Sequence, residues 1–368
     1  MRVTRRGYAV LAAAVALLAA GWWGRYPLFG VLGAILLGAV AAAVVTTGRA
    51  PRVDAHRSLH PSRVTRGRPA LARLRVSNAG TRRQPPFTAT DVAGPILRTV
   101  QVHGLLPGAE AVLHYELPTA TRGKWAIGPL TLERRDGFGL AGSSRPAGET
   151  TTLWVHPRQL PARVLYGGQQ RHHHEGRITD RALRGSVELT DVREYVPGDE
   201  VRLLHWKATA RAGRLMVRDL ADPQRSRFTV LLDTRATAAD AALFEELVEV
   251  AASLLTASVR TGQHTCLSTS AGRRVAVDGG AQAAHRLLDA LSEITQDDAD
   301  PALPAVRGGT LVVVCGSGPP LVSPAWLRGR FAQVQAITMG APVDGPGPRT
   351  LRAASAEEAV RRWNETIS

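Results

Sequence analysis

The chain has 368 residues, 44% of them hydrophobic, which is ample for buried cores and excludes a wholly disordered polymer. Its formal net charge is +15, yet 44 of the 46 basic residues are arginine and only Lys124 and Lys207 are lysine, a compositional bias rather than a nucleic-acid footprint. Aromatics make up 5% with no base-stacking motif, so nucleic acid is not expected as a partner. The two cysteines, Cys266 and Cys315, sit in apolar runs and predict buried free thiols, with neither a disulfide framework nor a zinc site.

Residues 8–23 form an uncharged apolar run, and 28–47 form a second of about twenty residues, the length that spans a bilayer. Only Gly24-Arg25-Tyr26-Pro27 separates them, so residues 1–49 predict a transmembrane helical hairpin. A signal peptide is the competing reading of the first run, and the immediate second run argues against it. Arg2, Arg5 and Arg6 precede the pair and Arg49, Arg52 and Arg57 follow it, so the positive-inside rule puts both termini and the soluble remainder on the cytoplasmic side of the cell membrane. Trp22, Trp23 and Tyr26 then mark the outer interface. Between positions 49 and 83 ten arginines face one acid, Asp54, which reads either as a surface for anionic lipid or as a solvated, arginine-rich face.

Across 50–160, short candidate strands at 70–76, 96–103, 111–117, 124–133 and 151–155 are punctuated by Gly and Pro and predict a β-sandwich domain. His172-His173-His174 reads as a polar surface loop, because consecutive histidines cannot all face one metal in regular structure.

The densest chemistry lies in 161–226, where residues 189–211 read LTDVREYVPGDEVRLLHWKATAR. Pro197-Gly198 is a turn signal, and Asp199 is placed to cap a helical turn behind it. Arg193, Glu194, Tyr195, Asp199, Glu200, Arg202, Trp206 and Arg211 surround this turn, a mixture that predicts a partly buried ionic network packing between domains. Trp206 is expected to be a large buried aromatic and Glu200 to face outward. The same set also reads as a partner-docking surface, and both roles can hold.

In 227–368 apolar strands alternate with helices: strands at 228–233, 265–269, 274–277, 310–315 and 332–338, helices at 240–260, 283–294 and 355–363. Such alternation predicts an α/β doubly wound, mostly parallel sheet with helices on both faces, and ligand sites at the carboxyl ends of its strands, where Asp233 stands. No nucleophile elbow, phosphate loop or paired-histidine zinc motif is present, and His205 near Asp199 lacks a nucleophile to serve, so the chain is expected not to be an enzyme.

The order Arg193-Glu194-Tyr195, Pro197-Gly198-Asp199, Arg202, Trp206, Ala210-Arg211 resembles the hallmark of a bacterial family called a domain of unknown function, number fifty-eight. Arg122-Gly123-Lys124-Trp125, Ile127-Gly128-Pro129-Leu130 and Asp136-Gly137-Phe138-Gly139-Leu140 form a second stretch resembling it. The resemblance implies a von Willebrand factor A-like C-terminal domain. Asp233-Thr234-Arg235-Ala236-Thr237 is similar to that fold's aspartate-x-serine-x-serine metal motif, which would make Asp233 and Thr237 cation ligands. Arg235 fills the first hydroxyl position and argues against a divalent cation, so no cofactor is expected and Asp233 is expected to pair with Arg235 or cap a helix. Members of the family are commonly encoded beside MoxR-type AAA+ ATPases. This implies a cytoplasmic-facing adaptor or scaffold working with such an ATPase on envelope-associated complexes, with anionic lipid and other envelope proteins as further partners. The alternatives are a metal-dependent receptor using Asp233 and a nucleic-acid binder driven by net charge.

Overall fold

The structure is a computed structural model that describes residues 2–48, 50–94, 96–164, 189–194, 204–220, 227–298, 301, 308–317, 321, 330–340 and 350–367. The chain divides after Pro157 into two compact units, 1–157 and 158–368. Residues 158–164, expected at the end of the first domain and the start of the signature segment, belong with the second unit for reasons of packing given below.

The first apolar run forms α1 (Arg5–Gly24) and the second α2 (Pro27–Thr47), each long and apolar enough to cross a membrane. Thr4 caps α1 by accepting from Gly7 N, and Pro27 opens α2 at a position where its missing N–H costs nothing. Small residues let the two backbones close. Gly7 and Ala14 on α1, and Gly33, Val40 and Thr47 on α2, are buried at spacings of seven. A Cβ on Gly21 would stand 2.7 Å from Gly30 N, and one on Gly33 2.9 Å from Ala14 O. Trp22 and Trp23 at the far end are exposed.

The remainder of this unit is β structure: β1 (Arg2–Val3), β2 (Asp54–His60), β3 (Arg63–Thr65), β4 (Leu71–Ser77), β5 (Phe87–Ala93), β6 (Ile96–Val102), β7 (Glu110–Glu116), β8 (Gly123–Ile127), β9 (Leu130–Arg135), β10 (Ala141–Ala147) and β11 (Thr151–His156). β2, β4 and β7 make a three-stranded antiparallel sheet, and the other eight strands make a second sheet. In β4 the period of two sends Ala72, Leu74 and Val76 inward and Arg73 and Arg75 outward. Leu74 and Val76 share a core with Phe87, Ala89, Leu130 and Leu132 of the larger sheet. The single strand expected over 124–133 is two strands, because Gly128 takes a positive φ of 93° and Pro129 follows it.

In the second unit, β12 (Leu189–Glu194) and β13 (Met216–Leu220) form an antiparallel ladder, with α3 (Trp206–Ala212) between them in sequence. A six-stranded sheet follows, built from β14 (Arg227–Leu232), β15 (His264–Thr269), β16 (Arg274–Asp278), β17 (Thr310–Cys315), β18 (Gln333–Met339) and β19 (Thr350–Ala353). Its order is β16-β15-β14-β17-β18-β19, all parallel except β16 at one edge. Both faces of the inner strands are apolar, as expected for a parallel sheet. Phe228, Val230, Leu232, Val312, Val314 and Ile337 point to one face, and Leu231, Leu311, Val313 and Ala336 to the other. The first face carries α4 (Ala241–Arg260), α5 (Ala281–Glu293) and α6 (Ala356–Ile367). Helices were expected on both faces; among the described residues these three share one, and the other meets Leu321 and Phe331.

Residues 158–164 lie against α4 and α6. Arg158 Nε donates to both Glu249 oxygens at 2.9 Å, Leu160 N donates to Ser253 Oγ at 2.9 Å, and Trp363 Nε1, on a fully buried indole, donates to Arg163 O at 2.9 Å. Ser355 and Glu358 cap α6: Glu358 N donates to Ser355 Oγ at 3.3 Å, while Glu358 Oε2 accepts from Ala354 N at 2.8 Å.

Candidate functional site

β14 is the central strand, with β15 on one side and β17 on the other, so the chain switches direction across the sheet at its carboxyl end. A crevice for ligands opens at such a point in many α/β folds. Asp233 stands there, fully buried, its N–H held by Val314 O at 2.9 Å. Its carboxylate is engaged by its own loop: Arg235 Nε donates to Oδ1 at 2.9 Å, Nη2 to Oδ2 at 2.7 Å, and Arg235 N to Oδ1 at 3.2 Å. The hydrogen bonds to Asp233 hold the Arg235 guanidinium above its ordinary pKa, against the opposing effect of burial. Thr234 Oγ1 lies 2.8 Å from Ser270 Oγ, and Thr237 is exposed. The expected pairing of Asp233 with Arg235 is therefore present, and Thr237 is not drawn into it. A cation could take this carboxylate only by displacing a buried, bidentate guanidinium, and breaking such a pair costs about 3–5 kcal/mol. Burial pushes the nearby Cys315 thiol up, and that of Cys266 likewise, so neither is an activated nucleophile. Among the described residues no group of three or more His, Cys, Asp or Glu side chains is placed to hold a metal.

The signature segment supplies the second candidate. Arg193 and Glu194 end β12, opposite Val217 and Met216. Tyr195, Pro197, Gly198, Asp199, Glu200 and Arg202 lie outside the described residues, as do His172, His173 and His174. His205 caps α3, its Nδ1 accepting from Ala208 N at 3.1 Å, while His205 N donates to Met216 O at 2.7 Å and ties the helix start to the ladder. Thr209 Oγ1 accepts from Met216 N at 3.0 Å, and Gly213 ends the helix with φ 65°, its N–H on Thr209 O. The anchoring side chain is Leu204, which is buried. Trp206, expected to be buried, is 67% exposed. It stands at the first position of a one-sided helix, where Lys207, Ala210 and Arg211 are exposed as well. Its indole thus stands outside the core, on a helix held at both ends.

A third constellation went unread in the sequence. Arg57, counted there among the arginines flanking the membrane hairpin, is buried between the two sheets of the first unit. Its Nη1 donates to Asp91 Oδ1 at 2.8 Å and Oδ2 at 3.0 Å, and its Nη2 donates to Ile127 O and Glu149 O, both at 2.6 Å. Tyr115 OH donates to Asp91 Oδ2 in a short hydrogen bond. Burial, then the hydrogen bond and charge of Asp91, push the Tyr115 phenol well above its ordinary range. A Cβ on Gly128 would stand 2.7 Å from both terminal guanidinium nitrogens, which together with its φ explains the glycine of Ile127-Gly128-Pro129.

Residues 191–316, from β12 through β17 and so including α3 and Asp233, match the family described as Protein of unknown function DUF58. That segment belongs to the DUF58 family. A curated relative, the Uncharacterized protein YeaD of Bacillus subtilis (strain 168), is 30% identical over 217 residues, 55% of this chain and 53% of its own length. The chain thus spans about half the length of this relative. Among solved structures, the CARDB domain of a Pyrococcus furiosus protein in complex with di-metal ions shares 17% identity over 29% of this chain and 94% of its own, with a TM-score of 0.23. The alkylpurine DNA glycosylase AlkC of Pseudomonas fluorescens, bound to DNA, shares 10% over 33% of this chain and 38% of its own, with a TM-score of 0.20. Neither likeness is close enough to bear on the DUF58 segment's fold or role.

Proposed function

We propose that the chain is a non-enzymatic, membrane-anchored adaptor. α1 and α2 fix it in the bilayer, with both termini and both soluble regions on the cytoplasmic side. The two sheets of the first unit form a β-sandwich, and the six-stranded sheet with its helices forms a von Willebrand A-like domain whose metal position has been closed by Arg235. The observation that carries this reading is the exposed indole of Trp206, presented on a capped helix inside the DUF58 segment. The bidentate Asp233–Arg235 pair weighs against the metal-dependent receptor reading. The partner suggested by the family resemblance is a MoxR-type AAA+ ATPase acting on envelope-associated complexes. Capture of the intact protein from native membranes, with the bound proteins identified, tests this. An AAA+ ATPase among them is expected, and its reproducible absence sinks the adaptor reading.

A further inference from the structure

The strand registers fix which end of the first unit meets the base of the helix pair. Arg2 and Val3 lie opposite Gly142 and Ala141, and Thr4 Oγ1 donates to Gly139 O at 2.6 Å. Leu140 and Ala141 pack on Val10, Val40 and Ala43, and a Cβ on Gly7 would stand 2.2 Å from Leu140 O. From this anchor the ladders run outward in step. Gly142 faces Arg135, Glu133 faces Thr88, and Phe87 faces Val102. In the smaller sheet Asp54, Ser77 and Glu110 stand side by side. The turns 78–86, 103–109 and 136–140 therefore all lie at the end where α1 begins and α2 finishes. Asn78, buried, binds two of them together by donating to Arg82 O, Leu105 O and Leu106 O, and Gln84 bridges Leu105.

At this end two apolar side chains point out of the protein: Phe138 is 79% exposed and Leu106 61%. Arg52, Arg82 and Arg83 are exposed at the same end. Val10 and Val40, the partners of Leu140, lie five and seven residues inside the ends of their helices. At 1.5 Å per residue the Leu140 side chain thus reaches about 7–10 Å along the hairpin, while the backbone of the 136–140 turn stays at its base, with Gly139 on Thr4 and Leu140 on Gly7. If the helices cross a bilayer, that is the depth of the headgroups and first acyl carbons, where an aromatic ring or leucine is stabilised and neighbouring arginines meet phosphate.

We infer that this end of the β unit is a lipid-contact surface, with Phe138 and Leu106 entering the leaflet that holds the base of the hairpin. The inference rests on the membrane reading of α1 and α2 above. The test places the photocrosslinker p-benzoylphenylalanine, one position at a time, at Phe138, Leu106, Ile35 and Leu97 of the full chain in phosphatidylglycerol/phosphatidylethanolamine vesicles. Ile35 is an exposed residue within α2, and Leu97 is exposed at the opposite end of the β unit, where Val92 faces it. Lipid adducts are expected at Ile35, Phe138 and Leu106 and not at Leu97. Adducts at Ile35 without both Phe138 and Leu106 overturn the inference and leave the hairpin reading standing. Equal yield at Leu97 overturns it as non-specific adsorption. No adduct at Ile35 removes the membrane reading itself, and the inference falls with it.

Discussion

Arg57, Asp91 and Tyr115 join the two sheets of the first unit through charge rather than apolar contact, and their removal should be costly. Asp91→Ala leaves a buried guanidinium uncompensated and is expected to cost about 3–5 kcal/mol, read as a lowered chemical-denaturation midpoint in detergent. Tyr115 adds a pH signature. Its folded pKa is raised, so the folded chain keeps a proton that the unfolded chain releases near pH 10. The stabilisation is complete below about pH 10 and is lost as pH rises through the folded value. Stability of the wild type should therefore fall more steeply above pH 10 than that of Tyr115→Phe; equal slopes would remove Tyr115 from the network. At Asp233 the expected result is no thermal shift of the wild type with millimolar magnesium or manganese. Arg235→Ser should melt lower and recover part of the loss on adding either ion. A metal-induced shift in the wild type would show that the guanidinium yields its place. The Asp233–Arg235 pairing was legible because both residues share one short loop. The Arg57–Asp91 pair joins positions 34 apart on different sheets. Its signal was parity: Asp91 alternates with Phe87, Ala89 and Ala93 on the inward face of β5. A carboxylate at an apolar phase implies a buried counter-charge, but only the register says which of the chain's many arginines supplies it.

Among the described elements, the two tryptophan-bearing helices of the second unit make opposite predictions. Trp363→Ala removes a fully buried indole from α6 and the hydrogen bond to Arg163, and should cost about 3–5 kcal/mol. Trp206→Ala on α3 should change stability by within about 0.5 kcal/mol, because the side chain is 67% exposed. Thermal melts of the two variants side by side check both; a large drop for Trp206→Ala would restore the buried role expected from sequence. That expectation failed for a local reason. Seven residues make a helix too short to bury a face, and Leu204, just ahead of it, takes the inward position. Elements with a strong period were readable throughout: α4, the β14, β15 and β17 strands, and both apolar helices. β2 and β5 escaped notice because charged or hydroxyl residues interrupt their apolar phase. The close approach of Gly33 to Ala14 and of Gly21 to Gly30 went unread in the sequence, because it depends on the two helices lying antiparallel.

At the scale of the whole molecule, the proposed topology requires that protease added outside intact cells leave residues 50–368 uncut. Burial of Arg57 weakens the basic flank after α2, but Arg52 remains exposed, Arg2 precedes α1, and Arg5 and Arg6 are exposed in its first turn. Cleavage within 50–368 from outside would reverse the orientation. The central claim, however, is that a membrane-held chain presents the DUF58 segment for docking, and one comparison reaches it directly. The intact wild type and Trp206→Ala are captured from native membranes at equal abundance, and the bound AAA+ ATPase is quantified. Truncation of an interface tryptophan costs roughly 2 kcal/mol or more, so the variant should retain only a few per cent of the wild-type ATPase signal, about thirtyfold less. Equal recovery of the ATPase by the two proteins would contradict the account, because the exposed indole would then carry no part of the docking.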